Sequence, residues 1–402
     1  MEQNGKNRGK RKQKSESVQR HTPEELQRIA GGFLRIVDKI PNPRTRECRY
    51  PLDEILLVAL VATLCGAESY ENMATFGEAQ AKWFRQFVPL ANGVPAHDTF
   101  RRVLILLKPT ALDEAYREIL PGLRDEACEH VAIDGKGSNG CYDIKSQTLL
   151  RMVSAWDTEN GLSLGQVATK NDEGKDVGEF HAIPKLVNQL DIRGLLVTVD
   201  AGGCYAQIVD AIVAGGGDYT VTLKENQPTF HKMAKAIFTE HEQNDFADVA
   251  CFHEANRGHG REEQRTYYAV PVPADDQWLK KWRGIASLVM GKFQRSVGGK
   301  TSEFTRYYIT SLPADAIQRL GRSLRRHWGI ENRLHWVLDV TFGEDANRNR
   351  RGNAAENLSI LRRWSLAMLR QVKGKKTIPN VKYQATVDPH FRTEIMKICF
   401  VR

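Results

Sequence analysis

The chain has 402 residues, with 58 Lys and Arg against 49 Asp and Glu, for a formal charge of +9; that length can bury a core without staples, and the charge suits a polyanionic partner. Its seven cysteines (Cys48, Cys65, Cys128, Cys141, Cys204, Cys251 and Cys399) are odd in number and lack CxxC or Cys/His ligand spacing, so a reduced, cytoplasmic protein is expected rather than a disulfide framework or a zinc finger. The longest largely apolar run, 55–65, falls short of the roughly 20 residues of a membrane span, and the start of the chain has charge but no apolar signal core, which points away from a membrane or secreted protein.

Residues 1–20 carry seven Lys and Arg, two Glu and almost no large apolar side chain. They cannot offset the entropy of folding alone, and 1–21 is expected to be a flexible basic arm. From 22 to 128 the pattern is helical. TPEELQRIAGGFLRIVDKI opens on a threonine cap with acids in the first turn, and PLDEILLVALVATLCGA follows a proline break. AHDTFRRVLILLKP has the look of the second half of a helix-turn-helix, although an ordinary amphipathic helix explains it more simply. This helical N-terminal region is a candidate for binding DNA ends.

Near residue 129 the texture becomes β-like. VAIDGK, LLRMVSAWD and LSLGQVATK read as strands and VGEFHAIPKLVNQL as a helix; GLLVTVDA and DYTVTLK are further strands around the helical YAQIVDAIVAG. That order, three strands, helix, strand, helix, strand, matches a ribonuclease-H-like α/β layout with a mixed sheet. Over about 241–310, FADVACFHEA, EQRTYYAVPV, GIASLVMGKF and FTRYYITSL read as an all-β insertion. His231, His241, Cys251, His253 and His259 crowd this part of the chain without zinc spacing, so no metal is assigned there. Helices return with PADAIQRLGRSLRRHWGIENRLHWVLDV and AAENLSILRRWSLAMLRQV, which places the catalytic domain at 129–375 and leaves 376–402 as a C-terminal tail.

Three acids stand out. Asp134 and Asp200 each end an apolar strand where the chain turns through glycines, the strand edge where ligand-binding groups gather in open α/β folds. Glu331 lies in a helical stretch. Singly, each is explained by a turn or a solvated helix face. Together they make an all-oxygen, hard-ligand set of the kind that holds two Mg2+ or Mn2+ ions in phosphodiester-cleaving enzymes, with Asp134 bridging both from a central strand. Glu331, His335 and Asp339 recur at a four-residue spacing that lines one broad helical face. His335 is a candidate support for the ligands, or a histidine packed between Trp328 and Trp336; Asn332 is placed with it. Asp339, Glu344 and Asp345 are alternative third carboxylates. Lys224 and Asn226 follow the fifth strand and would face the same edge, for phosphate and for a base or backbone oxygen. Arg348, Arg350 and Arg351 form a cationic patch suited to phosphates.

The blocks VAIDGKG, TVDAGG, DYTVTLKENQP, GHGREEQR, HWGIENRLHWVLDVTFGED and RGNAAENLSILRR, in this order, resemble the DDE transposases of bacterial insertion sequences, nearest the H-repeat-associated subgroup, over roughly residues 30–370. The resemblance implies a ribonuclease-H-like core in which Asp134, Asp200 and Glu331 bind two divalent metals. It implies hydrolysis at transposon ends and attack of the freed 3′ hydroxyl on target DNA. The partners would be double-stranded DNA, as terminal repeats and target, and a second copy of the chain on DNA, in a bacterial nucleoid-associated setting. Related transposases with a β insertion often carry a Tyr-Arg-Glu-Lys signature around the glutamate. Here its slots hold Leu324, His327 and Leu338, so the tyrosine and lysine roles do not transfer, and Arg326 or Arg333 stands nearest for the arginine. A nuclease without strand transfer, and an inactive or domesticated DNA-binding protein, are the competing readings; the presence of all three acids argues against decay.

Overall fold

The computed structural model describes residues 21–46, 48–143, 148–170, 175–258, 260–273 and 279–401. Apart from His21, the expected basic arm lies outside them, as does His259. Among the described residues, no helix is long and apolar enough to cross a membrane.

Six helices come first: α1 (Pro23–Val37), α2 (Leu52–Leu64), α3 (Tyr70–Ala79), α4 (Ala81–Phe84), α5 (His97–Leu106) and α6 (Pro109–Ile119). Thr22 caps α1 in a capping box with Glu25. Helix α2 is apolar on nearly every side and is buried accordingly. Phe100, Val103 and Leu104 of α5 are buried, and its end is held by Asn357 Nδ2, which donates to the Leu104 and Leu107 carbonyls at 2.8 Å.

The sheet follows. Strands β1 (His130–Asp143), β2 (Thr148–Asp157) and β3 (Leu162–Ala168) form an antiparallel meander. After α7 (Glu179–Val187), β4 (Leu196–Val199) pairs in parallel with β1; after α8 (Ala206–Ala214), β5 (Asp218–Leu223) pairs in parallel with β4. Helix α9 (Pro228–Gln243) leads to four long antiparallel strands, β6 (Ala250–Gly258), β7 (Arg261–Pro271), β8 (Ser287–Val297) and β9 (Lys300–Thr310). Strand β9 pairs with β5, so these four strands extend the first sheet into one of nine strands, ordered β3-β2-β1-β4-β5-β9-β8-β7-β6. The result is a mixed α/β protein with a large mixed sheet and a helical N-terminal region.

Strand β4 shows how the layers are made. Its LVTV is buried throughout, as a strand covered on both faces must be. Leu196 packs in a cluster with Leu320 and Leu324 of α10 (Ile317–His327), whereas Val197 and Val199 belong to the main core shared with α7 and α8. Thr198, on the α10 side, bonds His327 Nδ1 at 2.8 Å and His130 Nε2 at 2.8 Å. The chain then runs through a π-helical turn (Ile330–His335), α11 (Trp336–Phe342) and α12 (Ala354–Val372).

Helix α12 is buried along most of its length and packs against α2, α5 and α6. Its Arg363 pairs with Asp113 at 2.9 Å, both fully desolvated. Residues after 375, read as a tail, form α13 (Ile378–Val387) and α14 (Pro389–Phe400), which bury Val381, Ile395, Met396 and Phe400. Helix α14 lies so close to α1 that a Cβ on Gly32 would stand 1.8 Å from the Phe400 carbonyl oxygen. The first and last helices therefore share one core.

Candidate active site

The ladder between β1 and β4 matches Ile133 with Val199, and each is followed directly by an aspartate. Because the strands are parallel, Asp134 and Asp200 stand side by side at the edge where β4 ends; β1 does not end there, as the run of glycines suggested, but continues in its pairing with β2 to Asp143. Glu331, in the π-helical turn, comes to that edge from α10: burial raises the Asp134 carboxyl most, the charges of Asp200, Glu331 and Glu179 raise it further, and together they push it up to about 7. The Glu331 carboxyl is also raised, by burial first, with the Arg306 guanidinium pulling against that and Asp200 adding to it.

Glu179, the first residue of α7, is a fourth carboxylate that sequence spacing did not reveal. A Cβ on Gly135 would meet its Oε1 at 2.1 Å, and one on Gly202 its Oε2 at 2.7 Å. The glycines after both aspartates are therefore the space this side chain occupies. Burial and then Asp200 raise its carboxyl.

Support comes from the π turn and the loop beyond α11. His335 Nδ1 is 3.4 Å from Asp134 Oδ2. Burial, with the Lys136 charge, pushes the imidazole down to about 4, so this contact is between a neutral ring and a carboxyl rather than an ion pair. Lys136, two residues after Asp134, binds Glu344 Oε2 at 2.7 Å and Asp339. Burial opposes its charge, but these two carboxylates outweigh that and raise its pKa. Asp339 and Glu344 are thus committed to a lysine, whereas the charge of Glu331 acts on Asp134. Asp345 meets β1 through its backbone, its carbonyl accepting from Gly140 N at 2.9 Å.

The basic residues divide. Arg350 donates to the Gly140 carbonyl at 3.2 Å, which keeps its loop against the end of β1; Arg348 and Arg351 are exposed on the same loop. Lys224 is exposed one residue beyond β5, on the acidic edge. Asn226 turns inward, its Nδ2 donating to the Ala201 carbonyl at 2.8 Å, and so braces the residue after Asp200. Arg326 points away: it bonds Glu159 Oε1 at 2.6 Å, and Glu159 Oε2 accepts from His130 N at the opposite end of β1. Arg333 lies over Trp156, also toward that end. His327 is half-buried and bonds Thr198 through its ring, its imidazole pushed down to about 4 by burial. Asn332 Nδ2 donates to the Trp328 carbonyl at 3.0 Å.

Asn332 also borders a groove of about 430 Å³ lined by Phe293, Phe304, Arg306, Arg325 and Trp328. Arg306 lies 5.2 Å from the Phe304 ring and 5.1 Å from that of Trp328, and its charge reaches Glu331. Strands β8 and β9 thus bring aromatic faces and guanidinium groups beside the third acid. The visible signal was the alternation in EFTRYY, which sets Phe304 and Arg306 on one face.

A divalent cation fits this edge. Four carboxylates share a partly buried place, and the first-strand acid is raised by burial first and by its neighbours' charges after it, both of which a cation would offset. The tight ligand-type groupings among the described residues lie elsewhere, at His21, His390 and Glu394 and at Cys128, Asp157 and Glu159.

Comparison with known proteins agrees. The family model described as Transposase DDE domain matches residues 127–368, and the one described as DDE_Tnp_1-associated matches 34–119. The chain is 32% identical over 380 residues to "Putative transposase YncI" of Escherichia coli O157:H7, covering 91% of this chain and 95% of that one. It is 34% identical over 348 residues to "H repeat-associated putative transposase YhhI" of Escherichia coli K12, covering 84% and 90%. The solved piggyBac transposase synaptic complex with hairpin DNA overlaps 92% of this chain and 79% of its own at 12% identity and a TM-score of 0.40, too loosely to fix fold or ligand. With the transposase model spanning most of the sheet and whole-length relatives of the same kind, this chain belongs to the DDE transposases, in their H-repeat-associated branch.

Proposed function

We propose that the chain is an active transposase which hydrolyses DNA at transposon ends and joins the freed 3′ hydroxyl to target DNA, with Asp134, Asp200 and Glu331 as ligands of two Mg2+ or Mn2+ ions. DDE transposases depend on divalent metal; the ion and the number are our reading. The observation that carries it is the convergence of Asp134, Asp200 and Glu331 on one strand edge, with Glu179 beside them and Asp134 pushed up to about 7. We read the sheet as a ribonuclease-H-like core, because its first three strands are antiparallel and the fourth and fifth run parallel to the first.

When bound, the ions would activate the attacking water or 3′ hydroxyl and neutralise charge on the leaving oxygen. The chain's own residues do the rest. Asp134, whose carboxyl feels both Asp200 and Glu331, would be the ligand shared by the ions. Neutral His335 and the Lys136 pair with Glu344 and Asp339 fix the π turn against β1, so Glu331 keeps its direction. Asn226 fixes the backbone after Asp200. Lys224, Arg348, Arg350 and Arg351 offer phosphate contacts along the edge, and Arg306 with Phe293, Phe304 and Trp328 offers a stacking surface for an unpaired strand. Helices α1–α6 are proposed as the region that binds DNA ends, residues 129–375 as the catalytic domain and 241–310 as its β insertion. A homodimer on DNA, acting in the bacterial cytoplasm at the nucleoid, completes the proposal.

The test is incubation of the full chain with labelled DNA carrying its own flanking terminal repeats and a target plasmid, in Mg2+ or chelator, beside Asp134→Ala. Metal-dependent nicks and joined products from wild type alone are expected. Nicks without joined products would reduce the activity to a nuclease, and binding without nicks would leave a DNA-binding protein.

A further inference from the structure

A second cluster lies where the first and last helices meet. His21 stands just ahead of the Thr22 cap of α1, while His390 and Glu394, one turn apart on α14, issue from one helical face. Ligand atoms of these three residues all lie within 4.8 Å of one another. His21 Nδ1 is 3.5 Å from Glu394 Oε1 and 3.7 Å from Glu25 Oε2, and its ring stacks on His390 with centroids 4.4 Å apart. The His21 side chain is 9% exposed, and its Nε2 is buried without a hydrogen-bond partner.

The 3.5 Å between His21 Nδ1 and Glu394 Oε1 suits two donors around an ion better than a hydrogen bond. A charge-assisted N–H to carboxylate bond closes to about 2.7–2.9 Å. Two donors at about 2.0–2.1 Å from a tetrahedral ion instead stand about 3.3–3.4 Å apart. Two imidazoles and one carboxylate are a zinc set; Mg2+ takes oxygens and keeps its waters. Glu25 is already engaged, by Lys397 Nζ at 2.9 Å and Thr22 N at 3.1 Å, which leaves the fourth position to water. Lys397 offsets the Glu25 charge and so lowers the repulsion that an added cation would otherwise relieve there. The ligand pull must come from His21, His390 and Glu394.

We propose that His21, His390 and Glu394 form a zinc site, separate from the acidic edge, that clamps the start of α1 to α14. The clamp adds to the Lys397–Glu25 ion pair and to the close approach of Gly32 to Phe400, where the Phe33 and Phe400 rings meet edge-on with centroids 5.4 Å apart. It also fixes the point at which residues 1–20, with their seven Lys and Arg, join the fold.

The experiment strips the full chain with chelator, then titrates it with Zn2+, and with Co2+ as an optical probe. Tight binding of one ion beyond any held at the acidic edge, Co2+ ligand-field bands of tetrahedral intensity and a rise in melting temperature with Zn2+ are expected. All three persist in Asp134→Ala/Asp200→Ala/Glu331→Ala protein and are lost in His390→Ala and in Glu394→Gln. The second variant keeps the side-chain shape, and its melting temperature in chelator should match that of wild type. Zinc binding that survives both α14 substitutions, that vanishes with the acidic-edge substitutions, or that gives no tetrahedral Co2+ bands would overturn the assignment.

Discussion

Asp134 and Asp200 are the residues that directly follow a matched pair, Ile133 and Val199, in the parallel ladder of β1 and β4. No loop intervenes on either strand, so the separation of the two acids is set by sheet hydrogen bonds rather than by flexible chain. Catalytic groups on such elements stay placed when charge repels them, which loops would not ensure.

The electrostatic cost of that placement has a measurable pH dependence. Asp134 is raised from the ordinary 3.8 to about 7, by burial first and by Asp200, Glu331 and Glu179 after it. Between those values the folded chain keeps a proton that the unfolded chain has lost, so metal-free stability falls as pH rises through the window. Asp134→Asn should therefore melt with wild type near pH 4 and above it at pH 8, by on the order of 1–4 kcal/mol in stability. Mg2+ should raise the melting temperature of wild type at pH 8 and leave the variant nearly unmoved. Equal melting of the two metal-free proteins at pH 8 would show that the carboxylates are not crowded.

Glu179 needs both glycines. Gly135→Ala drives a methyl to 2.1 Å from Glu179 Oε1, next to the first-strand ligand. Displacement of a positioned group by about 1 Å can cost roughly 100-fold in rate. A cleavage loss of that order, with DNA affinity retained, is expected in strand-nicking assays. Removing the obstacle supplies the control: Gly135→Ala in a Glu179→Ala background should add little to the single loss. Equal, additive losses would separate Gly135 from Glu179.

Much of this arrangement was legible because buried strands announce themselves. VAID and LLVTVD are apolar runs ended by an acid and glycines, and parallel pairing then brings the two acids together without further information. Glu331 was legible as a helical acid, but its π-helical turn was not, since local periodicity does not reveal where a ladder gains a residue. Glu179 was hidden: it starts an unremarkable helix, and only the approach of α7 to β1 and to the turn after β4 makes it part of the site. Arg326 and Arg333 were near Glu331 in sequence yet face Glu159 and Trp156, because a few positions along a helix decide which end of the sheet is reached. Arg306 was far in sequence and near in space, a cross-sheet relation that no spacing rule encodes. The tail was underestimated because α13 and α14 gain their stability from α1 and α12, not from their own pattern.

Lys136 is the buried countercharge that holds the loop beyond α11. Its side chain is 13% exposed and that of Glu344 10%. Lys136→Met leaves Glu344 desolvated with Arg362 as its remaining cation, so the loss should reach the lower end of the about 3–5 kcal/mol that removing one partner of a buried pair costs. Lys136→Met/Glu344→Gln should recover part of that loss in denaturant unfolding, because the orphaned charge is gone. If Lys136→Met unfolds at the wild-type midpoint, Glu344 finds another partner and the loop does not depend on this pair.

The groove beside Glu331 predicts a stacking contribution that differs from the phosphate contacts of the loop arginines. Trp328 is 37% exposed and Phe304, stacked on Phe293, 44%, so the groove shows solvent a contiguous aromatic surface of the kind that marks interaction sites. Base stacking on an aromatic side chain is worth about 1–3 kcal/mol by alanine substitution and depends little on salt. Trp328→Ala and Phe304→Ala should each weaken binding of single-stranded or frayed DNA by such amounts with the salt dependence unchanged. Arg348→Ala and Arg351→Ala should instead weaken duplex binding and lower the steepness of its salt dependence, since each phosphate contact releases counterions. Arg306→Ala should do both, because its guanidinium is charged and also packs on the two rings. Fluorescence anisotropy with duplex and frayed oligonucleotides over a salt series separates the three patterns. Aromatic variants that bind both DNAs as wild type does would remove the groove from the DNA path.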